Sequence, residues 1–372
     1  MPTPLTFDHA SRLLTHAISA NLATFISGPP GIGKSTMVRS VARDLGLELR
    51  DVRVSLLDAV DLRGLPFPDR ATGTTLWLPP QFLPPMGSTG RGILFLDEIN
   101  AAMPNVQAAC YQLVLDRRIG EYELPPGWVV CAAGNRTTDK AVAYAMPSAL
   151  RNRFLTIELR HDLDGWLRWA NTEVDGRRRI HPLICDFVAY RPSVLLDMPE
   201  QLRDQPFPTP RSWEFASRLL DEAQRSWSVF PPSNVDADAM ERQLLHAALE
   251  GTIGHAASEF LSFIDSVGDR QFVGRFLADP HAEPIPAHGG CMFVLIMAVA
   301  ERCRDNIDNA RQVARILMQR LTDMEWREKF RSELCIHWPG MLADPVLRED
   351  ELRRPRDAAG KDGGDARKGR AA

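Results

Sequence analysis

The feature that most constrains this chain is the run Gly28-Pro29-Pro30-Gly31-Ile32-Gly33-Lys34-Ser35-Thr36. It follows a short apolar stretch, Leu22-Ala23-Thr24-Phe25-Ile26-Ser27, and leads into an amphipathic stretch that Gly46 stops. Glycines let a backbone curl until successive N–H groups converge on one point. The helix that begins there turns its positive dipole end toward the same point. The spacing fits G-x-x-x-x-G-K-[ST], in which Lys34 reaches the β- and γ-phosphates of a nucleotide and Ser35 presents its hydroxyl to Mg2+. A chance glycine turn would lack the strand before it and the helix after it. Strand, glycine loop and helix together open a parallel α/β sheet.

The α/β rhythm continues to about residue 160. Ile93-Leu94-Phe95-Leu96 is an uninterrupted apolar run that ends in Asp97-Glu98, the pattern of a central parallel strand. Such a strand delivers Asp97 to the sheet's C-terminal edge, where the phosphate loop also lies. There Asp97 can hold a Mg2+-bound water, and Glu98 can polarise an attacking water. Further strands are predicted at residues 47–56, 128–133 and 154–159, and helices at 6–20, 34–45 and 104–118. About five strands in this span predict a doubly wound α/β core over residues 1–160. Two stretches interrupt it. Residues 62–86 are rich in Pro, Gly and Thr, and residues 118–127 read as a small hairpin.

Beyond residue 160 no further strand is predicted, and helical periodicity dominates to about residue 347. Proline clusters at 206–210, 231–232 and 280–286 divide it. The expected organisation is a helical lid at 161–270, a helical extension at 271–352 and a disordered basic tail at 353–372. That tail has no apolar residue except alanine and carries seven Lys/Arg against three Asp.

Composition narrows the function classes. With 44 Lys+Arg against 48 Asp+Glu the net charge is −4, which disfavours binding to polyanions by bulk charge. None of the six cysteines forms a C-x-x-C pair or stands at zinc-ligand spacing, so reduced, buried thiols are expected. The longest apolar stretch, near residues 291–300, is about half a membrane span. No leader pattern opens the chain. These features predict a cytoplasmic protein.

Three further positions carry candidate chemistry. Asn135 ends the strand that includes Val129-Val130-Cys131-Ala132-Ala133, where a neutral donor beside Glu98 would orient a water; an ordinary turn Asn is the alternative. Arg151 and Arg153 precede the last strand, either as surface charge or as a charge offered to a neighbouring subunit's γ-phosphate. Arg211 follows Pro210 at a helix start, where a cation opposes the helix dipole and a nearby anion would explain it. A surface ion pair is the other reading.

Taken in order, these residues resemble the AAA+ ATPases, and most of all the MoxR family. Gly28-Pro29-Pro30-Gly31-Ile32-Gly33-Lys34-Ser35-Thr36 looks like Walker A and Leu94-Phe95-Leu96-Asp97-Glu98 like Walker B. Asn135 looks like sensor 1, Arg153 like the arginine finger, with Arg151 its competitor, and Arg211 like sensor 2. Asp97-Glu98-Ile99-Asn100 and Pro147-Ser148-Ala149-Leu150-Arg151-Asn152-Arg153-Phe154 are similar to the family's own segments. Residues 62–86 and 118–127 match its helix-2 insert and pre-sensor-1 hairpin. Ala101 departs from the Arg that many relatives carry there, and the region beyond residue 260 exceeds a minimal lid.

The resemblance implies an ATPase with ATP and Mg2+ as cofactors. Ser35 and Asp97 would serve the metal. Residues 28–36 and Asp97 would hold the nucleotide. Lys34, Glu98, Asn135, Arg153 and Arg211 would act on the transferring phosphoryl group. It also implies a hexameric ring, a partner with a von Willebrand factor A domain, and a client protein that is remodelled. Trp77 and Phe82 in the insert are either client contacts or packing within their own hairpin. A nucleic-acid motor and a nucleotide-gated scaffold are the readings of other classes. No residue singles out ATP over GTP.

Overall fold

The computed structural model describes residues 2–71, 73–136, 144, 146, 148–198, 205–226, 239–267, 271–304 and 308–344. The expected basic tail and the proline pair at 231–232 lie outside them. The chain divides into two compact units, residues 1–229 with 238–260, and residues 230–237 with 261–372.

The first unit opens with α1 (Phe7–Ser19), β1 (Thr24–Ser27), α2 (Lys34–Asp44) and β2 (Glu48–Arg53). A single 3-10 turn, Val54–Leu56, ends β2 earlier than the expected strand. Next come α3 (Ala59–Arg63), β3 (Leu65–Asp69), β4 (Thr74–Leu78), β5 (Gly92–Asp97) and α4 (Pro104–Asp116). Arg117 takes a left-handed conformation that stops α4. The short strands β6 (Arg118–Ile119) and β7 (Tyr122–Glu123) form the expected small hairpin. The core closes with β8 (Trp128–Gly134), α5 (Ser148–Arg151) and β9 (Leu155–Glu158).

Five of these strands form one sheet in the order β2-β5-β8-β1-β9, with every neighbouring pair parallel. The expected doubly wound α/β core is thus present. Alternation across the strands explains the two layers. Ile93, Phe95, Val129, Cys131 and Ala133 face α1 and α2, where they meet Leu14, Met37, Val38 and Val41. Leu94, Leu96, Val130 and Ala132 face the other way, onto Val106, Cys110 and Leu113 of α4. Both faces of β5 and β8 are covered, so those strands read as continuous apolar runs.

The insert folds as an antiparallel β3–β4 hairpin. Its register pairs Leu65 with Leu78 and Phe67 with Leu76, which places these four exposed side chains on one face. Trp77 is engaged within the insert, with the Arg63 guanidinium 4.7 Å from its ring centre. Phe82 packs against the core.

After β9 the unit continues with α6 (Leu163–Ala170), β10 (Glu173–Val174), β11 (Arg177–Arg178), α7 (Pro182–Tyr190), α8 (Pro210–Ser226), α9 (Ala239–Ile253) and the first residues of α10 (Ala256–Val267). The β10–β11 hairpin corrects the expectation that strands end at residue 160. Asp175 and Gly176 both take positive φ at its tip, a two-residue turn of the kind that suits a hairpin. Trp213 of α8 meets Phe187 and Phe260 at centroid distances of 5.9 and 5.5 Å.

The second unit contains the end of α10 and the helices α11 (Gln271–Ala278), α12 (Gly289–Arg304), α13 (Asp308–Arg320) and α14 (Met324–His337). Leu295, Ile296, Val299, Leu317, Phe330 and Leu334 lie in its core. Asp344 receives two hydrogen bonds from Arg315, at 2.8 and 2.6 Å. Among the described residues no helix is long and apolar enough to cross a membrane.

Two outcomes follow. Phe95→Ala, at a fully buried site in the middle of the sheet, should lower stability by about 3–5 kcal/mol in urea denaturation. Burial pushes the thiols of Cys110 and Cys131 up to about 12, whereas Cys335 is exposed. A thiol reagent at mildly alkaline pH should therefore label Cys335 in the folded protein and the two core thiols only after unfolding.

Candidate functional site

The sheet order decides which loop ends can meet. β5, β8 and β1 are consecutive in the sheet and run in one direction. Their C-terminal ends therefore lie along one edge, carrying Asp97 and Glu98, Asn135, and the glycine loop in turn.

The loop after β1 needs its glycines for conformation at two places. Gly31 and Gly33 have φ of +74° and +100°, a region L side chains rarely adopt. Gly33 is also the N-cap of α2. No side chain caps that helix, and its first turn has no acidic residue. The positive dipole end of α2 at this point is one that an external anion such as a phosphate would complement.

Lys34 lies across the loop it starts from. Its Nζ donates to the carbonyl oxygens of Gly28 at 2.7 Å and Pro29 at 2.9 Å, and to Asn135 Oδ1 at 2.8 Å. The Ser35 hydroxyl donates to Asp97 Oδ2 at 2.6 Å. A hydroxyl and a carboxylate at one point are the hard oxygen donors that suit Mg2+. Among the described residues no group of three or more His, Cys, Asp or Glu gathers to hold a metal, here or elsewhere.

Asp97 is buried, and its Oδ1 accepts from the main-chain N–H of Glu98 at 3.0 Å. Glu98 has φ of +57°, a left-handed conformation that costs a non-glycine residue energy. Its carboxylate accepts a hydrogen bond from Ser55 Oγ at 2.5 Å. Ser55 stands in the turn that ends β2, the strand beside β5, so the bond depends on sheet order. No local signal in the sequence marks it.

A cavity of about 240 Å³ adjoins the loop. Gly31, Ile32, Gly33 and Thr36 line it together with Leu159, Trp166 and Arg211. Arg211, in the first turn of α8, thus lines the same cavity as the glycine loop. Thr209, one residue before α8, lies against the loop: a Cβ added to Gly31 would fall 2.9 Å from Thr209 Oγ1. Thr209 is held by Ser212, whose main-chain N–H donates to its Oγ1 at 3.0 Å. Gly28 touches Leu159 in the same way, with a Cβ 3.1 Å from that side chain. Arg136 fixes this part of the wall by donating to Leu159 O at 2.6 Å and pairing with Glu158 at 3.2 Å. Pro29 and Pro30 lie between these contacts.

Arg151 and Arg153 are not brought to this edge. Both are exposed and precede β9, whose first residue, Leu155, pairs with Thr24 at the start of β1. They thus precede the start of β9, whereas the glycine loop follows the end of the neighbouring β1. Arg151 donates to its own backbone at Met146 O, 3.0 Å. Arg153 has no side-chain partner among the described residues.

Residues 23–156 match the model of the ATPase family associated with various cellular activities (AAA). Protein MoxR from Methylorubrum extorquens is 29% identical over 169 residues, covering 40% of this chain and 43% of that protein. The match thus spans less than half the length of that relative. Among solved structures, a putative ATPase from Cytophaga hutchinsonii is 16% identical with a TM-score of 0.32, over 82% of this chain and 79% of that one. NtrX from Brucella abortus in complex with ADP is 13% identical with a TM-score of 0.40, over 75% and 69%.

Gly31→Ala should force a strained φ and press a methyl group on Thr209. A stability loss of about 1–2 kcal/mol in urea denaturation is expected.

Proposed function

We propose, from the premise that residues 23–156 are an AAA ATPase module of the MoxR type, that this protein binds Mg-ATP and hydrolyses it within a ring of identical subunits. The observation that carries this reading is the meeting of Lys34, Ser35, Asp97, Glu98 and Asn135 at one sheet edge. The energy of hydrolysis would remodel or activate a client protein in the cytoplasm. Resemblance alone supports that step, together with a hexameric ring and a partner carrying a von Willebrand factor A domain.

The residues divide the work by position. The N–H groups of the loop and of α2's first turn hold the phosphates. Lys34 exchanges its carbonyl partners at Gly28 and Pro29 for phosphate oxygens. Ser35 and Asp97 would hold Mg2+, which when bound would offset the charge of the phosphate oxygens. Glu98, released from Ser55, accepts a proton from the attacking water, and Asn135 orients that water. Arg211 approaches from the lid side of the cavity. The lining by Leu159 and Trp166 suits a purine base. The net charge of −4 weighs against a nucleic-acid motor.

Arg153 precedes the start of β9, at the other end of the sheet from the glycine loop, which favours the γ-phosphate of a neighbouring copy over that of its own chain. It is the finger offered to the next subunit, while Arg151 is held to its own backbone. Charge stabilisation by such a group is worth about 10³–10⁵ in turnover.

Glu98→Gln should keep ATP affinity within about threefold and lower turnover by at least about 10²-fold. Loss of binding and turnover together would contradict the role of Glu98. Lys34→Ala and Arg153→Ala chains, each inactive alone, should recover hydrolysis when mixed, because a mixed ring contains sites with an intact loop and an intact finger. A mixture no more active than its parents would sink the shared site. ATP-loaded Glu98→Gln protein should also retain a client or a von Willebrand-type partner from its native host.

A further inference from the structure

Asn100 has no part in the chemistry described so far. It sits two residues after Glu98, in the turn that ends β5, and is 6% exposed. Its side-chain amide donates to the main-chain carbonyl of Asn135 at 2.6 Å. Its carboxamide lies directly on Gly134: a Cβ built there would fall 2.2 Å from Asn100 Oδ1 and 2.6 Å from its Cγ. The main chain on either side is also fixed. Ile99 N donates to Ala133 O at 3.0 Å, and Ala101 N closes the turn on Glu98 O at 2.9 Å. Asn100's own carbonyl accepts from Tyr144 N at 2.7 Å.

We infer that Asn100 is a positioning residue for hydrolysis: it braces the end of β8 against the end of β5, so that Asn135 and Glu98 address the same water. The inference rests on the reading of those two residues as the water-orienting pair. An amide N–H is the group the contact requires. A carboxylate of the same size would set an acceptor against the Asn135 carbonyl, and alanine would leave a gap. Among the described residues, the Asn100 side chain hydrogen-bonds to the Asn135 main chain and not to the glycine loop or the Ser35–Asp97 pair. Its loss should therefore leave phosphate binding in place while the hydrolytic pair drifts apart. A misplacement of about 1 Å in reacting groups costs roughly 10²-fold.

The test uses the full chain as wild type, Asn100→Ala, Asn100→Asp, Gly134→Ala and the Asn100→Ala/Gly134→Ala double variant. Steady-state Mg-ATP hydrolysis gives kcat and KM, a fluorescent ATP analogue gives affinity, and thermal melting reports the fold. Asn100→Ala and Asn100→Asp should each lower kcat by about 30- to 100-fold, with analogue affinity within about threefold and cooperative melting kept. Gly134→Ala pushes the carboxamide aside and should lower kcat comparably. The double variant should be no slower than Asn100→Ala, because the clash has gone with the side chain. A kcat near wild type in both Asn100 variants overturns the inference. So do losses that multiply in the double variant, or affinity that falls with kcat. If Asn100→Ala fails to fold, the size-matched Asn100→Asp decides alone. A wild-type protein that hydrolyses nothing sinks the ATPase reading and this role with it. An active wild type with unaffected variants sinks only the role of Asn100.

Discussion

The chemistry of this protein depends on three neighbouring parallel strands that stop at one edge. β1, β8 and β5 are paired side by side, and each supplies its last residues to the same small volume. Nothing in the local sequence brings Lys34, Asn135 and Asp97 together, since 101 and 62 residues separate the bonded pairs. The sheet does so, and the sheet is held by the apolar layers on its two faces. The glycine loop can then be small and strained. α2 can start without a capping side chain because an anion is expected at its end.

The same parallel geometry separates the two ends of every strand. The glycine loop proposed to bind phosphate is at one end of β1, and the candidate finger arginines are near the other. On the proposed reading, a single copy holds the binding and water-activating residues at one edge, while Arg153 lies at the other end of the sheet. On that reading, turnover is a property of assembled copies. Contacts across the site follow a related logic. Ser55 holds the Glu98 carboxylate through a neighbouring strand, and Thr209 lies against Gly31.

Much of this was legible in the sequence where the signal is local. Glycines, lysine and hydroxyl at fixed spacing announce the loop, and four apolar residues before Asp97-Glu98 announce a buried strand. The fold class followed from the alternation of such runs. What escaped was set by distance or brevity. Ser55 and Thr209 gain their roles only when β2 lies beside β5 and α8 meets the loop. The β10–β11 hairpin has two residues per strand, too few for alternation, and its arginines read as polar surface. Strand ends moved where a tight turn intervened, as at the 3-10 turn after Arg53. Asn100 was visible as part of the Asp97-Glu98-Ile99-Asn100 string, but its partner lies across the sheet.

The central claim is that this edge is a hydrolytic nucleotide site completed by a second copy of the chain. The most direct test is phosphate release by the purified wild-type protein with Mg-ATP, followed over a wide range of protein concentration. The account predicts Mg2+-dependent hydrolysis whose rate per subunit rises with concentration as copies assemble. A rate per subunit that stays constant from monomer to assembly would contradict the shared site. ATP bound but never hydrolysed at any concentration would contradict the assignment of Glu98 and Asn135.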